Sequence, residues 1–556
     1  MSVVCSAPVE AQDATLSGQI QAALDTYGWR DASWGVVVRS LDSGEALFEL
    51  NPDIPLAPAS NTKLLTTAAA LHVLGPEYRF RTYVLTSGEV RDGIVHGDLV
   101  LYGTGDPGIS DRFHRRRDHV LQRLVDQLEE RGIHTIAGDV VADASFFTGP
   151  LRHESWDTLD LNEHFTAAIS AISYNENVVS FRIIPAPPGT PPQVTTVPAP
   201  SGLDVVNTAS MVTGQARPRL AILRDDPLEP VRVEGRMLAG SRDVWRQMTV
   251  GVPARFAAET FRRTLEDRGL VVEGNTRIEE LPARSVASNF SAPASGRRGA
   301  RILARHVSGP LTDYLEVVNK ESNNLFAELV FRAIGRVAEG VGSFEASARA
   351  VKRTLDGIGV DTTGLTQLDG SGLAGGNRVT AAAFVQTIEA MSEGDLWPQY
   401  WASLPQAGTR RELGRMYRTA AAGNLRAKTG TIEHVSALSG LVRSADGERL
   451  AFSILVNDSR SQTRAKRVEN LIGVRLASFR RAPGDVPVIV AETPVPESEF
   501  MGRDRHRVAS GENLSSIAVR YGVGLDEILR LNPQIEPNRI MPGEWIDVPQ
   551  QGGSSR

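Results

Sequence analysis

The chain has 556 residues, 41% of them hydrophobic, which is length for three or four domains of roughly 100 to 200 residues with real cores. Its 60 basic and 66 acidic residues leave a formal charge of -6, a balance that selects neither nucleic acid nor an anionic membrane surface as partner. A single cysteine, Cys5, excludes internal disulfides, no histidine pair has the H-E-x-x-H spacing, and no apolar run approaches the roughly 18 residues of a membrane span, so no metal, cofactor or bilayer crossing is expected.

Residues 1–14, MSVVCSAPVEAQDA, lack a charged n-region, yet their small-residue ending resembles the tail of a secretory signal cut near Ala11; a disordered start is the alternative. The run WGVVVRSLDSGEALFELN (34–51) places two β-rich segments around Asp42-Ser43-Gly44, a hairpin signal, and PASNTKLLTTAAALHVLG (58–75) then reads as a short apolar helix. Residues 86–302 differ. They hold valine-rich strands, GDLVLYG and GDVVADASFF, and a proline-rich stretch, IIPAPPGTPPQVTTVPAPSG, that suits neither a regular helix nor a central strand. This segment is expected to be two inserted β-rich domains. From about residue 303 helices return, SNNLFAELVFRAIG and TAAAFVQTIEAMS, followed by the strands HVSALSGLVRS and RLAFSILVND, so 15–85 and 303–482 together form one domain. Proline and acidic residues over 483–504 read as a linker. In 505–549, Leu514, Ile517, Ala518 and Tyr521 have helical spacing, Ile528 and Leu531 mark a second short helix closed at Asn532-Pro533, and Ile546 and Val548 alternate as a strand, which gives βααβ before a tail at 550–556. The run RFHRRR (112–117) reads as a solvated face.

Three short motifs carry chemistry. Ser60 and Lys63 stand three positions apart at a helix start, which stacks both side chains on one face beside the free N–H groups of the helix terminus. Alone this S-x-x-K is weak, because a serine before a helix is usually its cap. ESNNLFAE adds Ser322 and Asn324 at another helix start, and RAKTGTIEH adds Lys428, Thr429 and Gly430 ahead of a strand. A second S-x-N, Ser173 and Asn175 in ISYNEN, lies within the β-rich segment and is set aside in favour of Ser322. G-x-S-x-G, the elbow of α/β-hydrolases, does not occur.

S-x-x-K, S-x-N and K-T-G in this order resemble the active-site set of penicillin-interacting serine peptidases and β-lactamases. Ser322 follows Ser60 by 262 residues but Lys428 follows Ser322 by only 106, so something large is inserted between the first two motifs. That pattern resembles the D-alanyl-D-alanine carboxypeptidases and endopeptidases called class C penicillin-binding proteins, peptidase family S13, over roughly residues 15 to 480, extending to GTGDPGIS, DGSGLAGG and LPQAGT. The resemblance implies an α+β multi-domain chain: a β-lactamase-like (transpeptidase-like) α/β domain carrying two nested domains.

It also implies a mechanism. Ser60 attacks the carbonyl between two D-alanines, giving an acyl-enzyme that water resolves. Lys63 takes the proton and must be neutral; a like charge on Lys428 about 4 Å away, worth about 4 kcal/mol at an effective dielectric near 20, is expected with the helix N-terminus to bring its pKa down from about 10.4. Ser322 relays the proton, Asn324 positions Lys63 or the substrate amide, Lys428 and Thr429 receive the terminal carboxylate, and the backbone N–H groups of Ser60 and Thr431, beside Gly430, form the oxyanion hole. Asp143 in ADASFF matches a D-x-S-x-F element whose aspartate meets the amine of a diaminopimelate side chain, with a turn role as the alternative. Where the family's DGSGLSR supplies an arginine, this chain has Gly375, leaving Arg378 as the substitute.

The last unit resembles a LysM module, with Gly511, Glu512, Asn513, Leu514 and the turn Asn538, Arg539, Ile540 and Met541 implied as its glycan groove. The expected protein is a periplasmic or extracellular, wall-associated DD-peptidase whose partners are peptidoglycan stem peptides and glycan strands, with β-lactams as inhibitors. Two rival readings stay open: a β-lactamase or related esterase, and a catalytically silent wall-binding protein.

Overall fold

The computed structural model describes residues 15–26, 32–199, 201–213, 219–287, 300–481, 488–489, 503–508, 514–521, 528–529, 531–532 and 545–549. They divide into two compact units, 1–490 and 491–556.

The larger unit is built on a six-stranded sheet in the order Arg426–Ile432, Val435–Arg443, Arg449–Asn457, Ser33–Ser40, Ala46–Leu50 and Val488–Ile489. The strand SWGVVVRS sits centrally and its β-branched residues are buried on both faces. Val36 and Val38 join Leu16, Ile20, Val468 and Ile472 of the helices Leu16–Thr26 and Gln462–Ser478, whereas Val37 joins the opposite core with Leu64, Leu65 and Phe384. A period of two thus feeds two cores. On that second face lies the helix Thr62–Val73, with ten of its twelve residues buried, ringed by Leu311–Lys320, Asn324–Glu339, Phe344–Gly357, Ala381–Glu393 and Trp397–Ser403. The helix is buried on nearly every side, its threonines and Lys63 included.

The insert leaves this domain through Arg81–Thr86 and returns through Arg301–Val307, two antiparallel neighbours with Arg81 opposite Val307. Its edges therefore lie slightly outside 86–302, and the segment after 303 opens with this strand before the helices resume. Its first domain holds a five-stranded sheet ordered Thr276–Glu279, Val140–Asp143, Leu99–Gly103, Arg81–Thr86, Arg301–Val307, packed with two helices that the valine-rich reading passed over. These are His119–Glu129, burying Val120, Leu121, Leu124, Val125 and Leu128, and Pro253–Asp267, burying Phe256, Ala257, Phe261 and Leu265. The second inserted domain is all β: Gln193–Val197, Val178–Ile184 and Val244–Thr249 form one sheet, and Val231–Leu238 anchors another. After Ile183 and Ile184, which end the central strand, the proline-rich stretch contributes only the edge strand Gln193–Val197.

Two residues of the expected linker are not free chain. Val488–Ile489 pair in parallel with Ala46–Leu50, Phe48 opposite Val488, adding a β-branched pair to a sheet edge that was otherwise open. In the smaller unit Arg503–Arg507 pairs with Trp545–Pro549, and Leu514, Ile517, Ala518, Ile528, Ile546 and Val548 form its core beside the helix Leu514–Tyr521. Asn532 ties it together: its amide donates to the carbonyls of Ile528 and Asp547 while its oxygen accepts from Asp547 N–H.

Candidate active site

Ser60 occupies a single 3-10 turn, Ala59–Asn61, immediately before the helix Thr62–Val73, whose N-cap is Asn61. Ser60 is therefore not the cap. Ala59 has φ 46°, a left-handed conformation that non-glycine residues rarely adopt, and the surroundings hold it there. Thr62 Oγ1 donates to Ala59 O at 2.8 Å, Asn61 Nδ2 donates to Ser439 Oγ at 2.7 Å, and Asn457 both donates to Ala57 O and accepts from its N–H. Two glycines press on the same turn. A Cβ at Gly430 would stand 2.5 Å from Pro58 O, and one at Gly372, where φ is 82°, would stand 1.9 Å from Ala59 O. The third letter of K-T-G is explained by this approach.

Lys63 is fully buried one helical turn on. Its Nζ donates to Asn324 Oδ1 at 2.7 Å, to Ser371 O at 2.7 Å and to Ser60 Oγ at 3.0 Å. The first two partners are oxygens that can only accept. On losing a proton the amine keeps those two contacts and turns its lone pair to the third, the hydroxyl of Ser60. Burial brings the Lys63 pKa down to about 7 against the raising influence of Glu328 and Asp369. The expected cause was the charge of Lys428; desolvation is instead the main one, and repulsion between the two lysines acts on Lys428, which burial and Lys63 together hold well below the ordinary lysine value.

The network behind Lys63 is absent from the three motifs. Glu328, one turn after Asn324 and fully buried, accepts from the N–H groups of Gly370 at 3.0 Å and Ser371 at 2.8 Å, and so presents Ser371 O to Lys63. Asp369 accepts from Gly372 N, Ala374 N, Asn377 Nδ2 and Trp156 Nε1. Burial and the neighbouring Asp369 push the Glu328 carboxyl up to about 8. Its signal in the sequence is an acidic residue inside the apolar run NLFAELVF, at the i+4 position from Asn324.

Ser322, at φ 56°, accepts from Lys428 Nζ at 2.9 Å, and Lys428 also donates to Thr429 O at 2.8 Å. Lys428 lies on the edge strand Arg426–Ile432, with Thr429 half-buried and Thr431 exposed. Asn324 Nδ2 donates to Phe165 O at 2.9 Å, so the insert itself sets the side chain that holds Lys63. Arg332 reinforces that seam by donating to Thr148 O and Pro150 O.

The remaining predicted positions of the larger unit are held by other partners. Ser173 is buried and donates to Ser170 O, while Asn175 Nδ2 donates to Val178 O, which makes the second S-x-N a local turn. Asp143 ends the strand Val140–Asp143 at 1% exposure; Ser145 Oγ and N–H donate to one of its oxygens and Ser285 Oγ to the other, and burial raises its pKa. Arg378 donates to Gly375 O and Asn377 O, and around Gly375 the space is open. Leu514 is a core residue of the small unit, whereas Gly511, Glu512, Asn513 and Asn538 to Met541 lie outside the described residues.

The model of the D-Ala-D-Ala carboxypeptidase 3 (S13) family matches residues 16–478. The chain belongs to this family. A LysM domain matches residues 506–549. Among curated relatives of this S13 chain, a D-alanyl-D-alanine carboxypeptidase from Actinomadura sp. is 35% identical over 480 residues, 84% of this chain and 85% of that one. The D-alanyl-D-alanine carboxypeptidase DacB of Haemophilus influenzae is 25% identical over 430 residues, 76% and 85% of the two chains. The crystal structure of penicillin binding protein 4 (dacB) from H. influenzae superposes with a TM-score of 0.70 at 23% identity, covering 83% of this chain and 99% of that one, which shows the shared fold.

Proposed function

We propose that this S13 peptidase cleaves the terminal D-Ala-D-Ala bond of peptidoglycan stem peptides through an acyl-enzyme on Ser60, with endopeptidase action on cross-linked stems, and that its LysM domain holds the glycan. The observation that carries the chemistry is the Lys63 amine, fixed by Asn324 Oδ1 and Ser371 O with its third contact on Ser60 Oγ. Neutral Lys63 takes the Ser60 proton as Oγ attacks, and the backbone N–H groups of Ser60 and Thr431 receive the oxyanion. The proton then passes from Lys63 through the Ser322 hydroxyl to the leaving amine, while Lys428, joined to Ser322 Oγ, faces the terminal carboxylate with Thr429.

A β-lactam mimics the scissile amide and leaves the ester trapped. Labelled penicillin is therefore expected to acylate the wild-type chain at Ser60, seen as a mass increase mapped to the Ser60 peptide, and Ser60→Ala to take no label; label at Ser173 or Ser322 would overturn the assignment. Slow release of the bound drug separates a peptidase from a β-lactamase with the same motifs. No described helix is long and apolar enough to cross a membrane, and with the LysM domain this supports a wall-associated enzyme, periplasmic or extracellular.

A further inference from the structure

The catalytic residues share their cavity with the insert. A cleft of about 560 Å³, within the usual range of small-molecule sites, is lined by Ser322 and Asn324 and also by Ser180, Trp245 and Gln247 of the second inserted domain. Trp245 stands opposite Arg182 and Gln247 opposite Ser180 on antiparallel neighbours, and because side chains alternate along a strand these four share one sheet face. The indole of Trp245 is 55% exposed, with the Arg182 guanidinium 5.5 Å from its ring centre. An aromatic ring of this size left open on a β face beside a catalytic cleft asks for a ligand.

The charges around the cleft narrow its chemistry. Arg112 pairs with Glu176 and Glu321, Arg117 with Asp111 and Arg182 with Asp243, and Asn323 donates to Glu176, so these charged groups answer one another. What remains beside the indole is the Ser180 hydroxyl and the Gln247 amide. A neutral ligand with many hydroxyls and an apolar face fits that set, and a free carboxylate or ammonium does not. We propose that this face is a saccharide subsite that reads the sugar carrying the stem peptide, with Trp245 as its platform and Gln247 and Ser180 as hydrogen-bonding groups. This rests on the peptidase reading of the same cleft. The catalytic unit thereby selects sugar-linked peptides independently of the LysM domain.

The test uses the full chain and two soluble substrates, a disaccharide-linked pentapeptide and the same pentapeptide without sugar. Trp245→Ala is expected to raise KM for the sugar-linked substrate about tenfold, the usual cost of truncating an anchoring tryptophan, and to leave KM for the free peptide and the rate of penicillin acylation unchanged. Trp245→Phe should recover part of the loss. The LysM domain is present in every variant, so its contribution cancels. Equal changes on both substrates, or no change on either, overturn the saccharide subsite while leaving the peptidase intact; wild-type protein that turns over neither substrate overturns the peptidase reading and the subsite with it.

Discussion

In the proposed mechanism Lys63 sets the pH behaviour of acylation. Its amine must be neutral to accept the Ser60 proton, and with its pKa brought down to about 7 the neutral fraction grows as pH rises through that value. The rate of acylation by penicillin is accordingly expected to climb from pH 6 to pH 8, measured by stopped-flow or by intact mass at timed quench. Lys63→Arg keeps the charge but has no accessible neutral form, so acylation should fall by about 10² to 10⁴-fold with the melting curve preserved. Asp143 presents a different case. Its carboxylate is already held by Ser145 and Ser285, so an incoming amine must share it or displace a serine hydroxyl. If the family's reading carries over, Asp143→Ala weakens turnover of peptides with a free diaminopimelate amine more than of peptides lacking it, seen in kcat/KM for the two; equal losses assign Asp143 to the turn alone.

At the level of elements, the site depends on how closely three segments approach: the Ser60 turn, the strand Arg426–Ile432 and the loop around Gly372. Gly372→Ala places a methyl group into Ala59 O and forces a left-handed φ on alanine, so the turn must shift. Displacement of about 1 Å costs about 100-fold in a positioned reaction, and acylation should slow by that order in Gly372→Ala while Gly375→Ala, with open space around it, stays at the wild-type rate. The motif residues were singled out by their order along the chain, and hydrogen bonds join them as Ser60, Lys63 and Asn324 on one side and Ser322 with Lys428 on the other. Glu328, Asp369 and Phe165 were not legible, since Glu328 acts through backbone N–H groups of a distant loop, Asp369 through those of its own loop and Phe165 through its own carbonyl, which any residue provides. The strands of the core were read from β-branched runs, whereas the helices His119–Glu129 and Pro253–Asp267 were hidden by the valine-rich strands around them, although their buried positions follow the helical period.

For the whole molecule, the pairing of Val488–Ile489 with Ala46–Leu50 fixes where the catalytic unit ends. Removal of 491–556 keeps that strand and is expected to leave soluble-peptide hydrolysis and penicillin acylation nearly unchanged, while sedimentation with purified peptidoglycan and D-alanine release from it both fall through loss of effective concentration. Truncation that harms soluble turnover equally would place the small unit in the catalytic machinery. The side-by-side entry and exit of the insert has a kinetic consequence. Ser60 and Ser322 are 262 residues apart along the chain, but once Arg81 and Val307 are neighbours the path between them is about 21 residues to the stalk and about 15 beyond it. A loop roughly sevenfold shorter costs about 2 kcal/mol less entropy to close. Folding of the insert thus brings two segments that are far apart in sequence within a short path of each other, and the meeting of the Ser60 and Ser322 segments is expected to follow closure of the stalk.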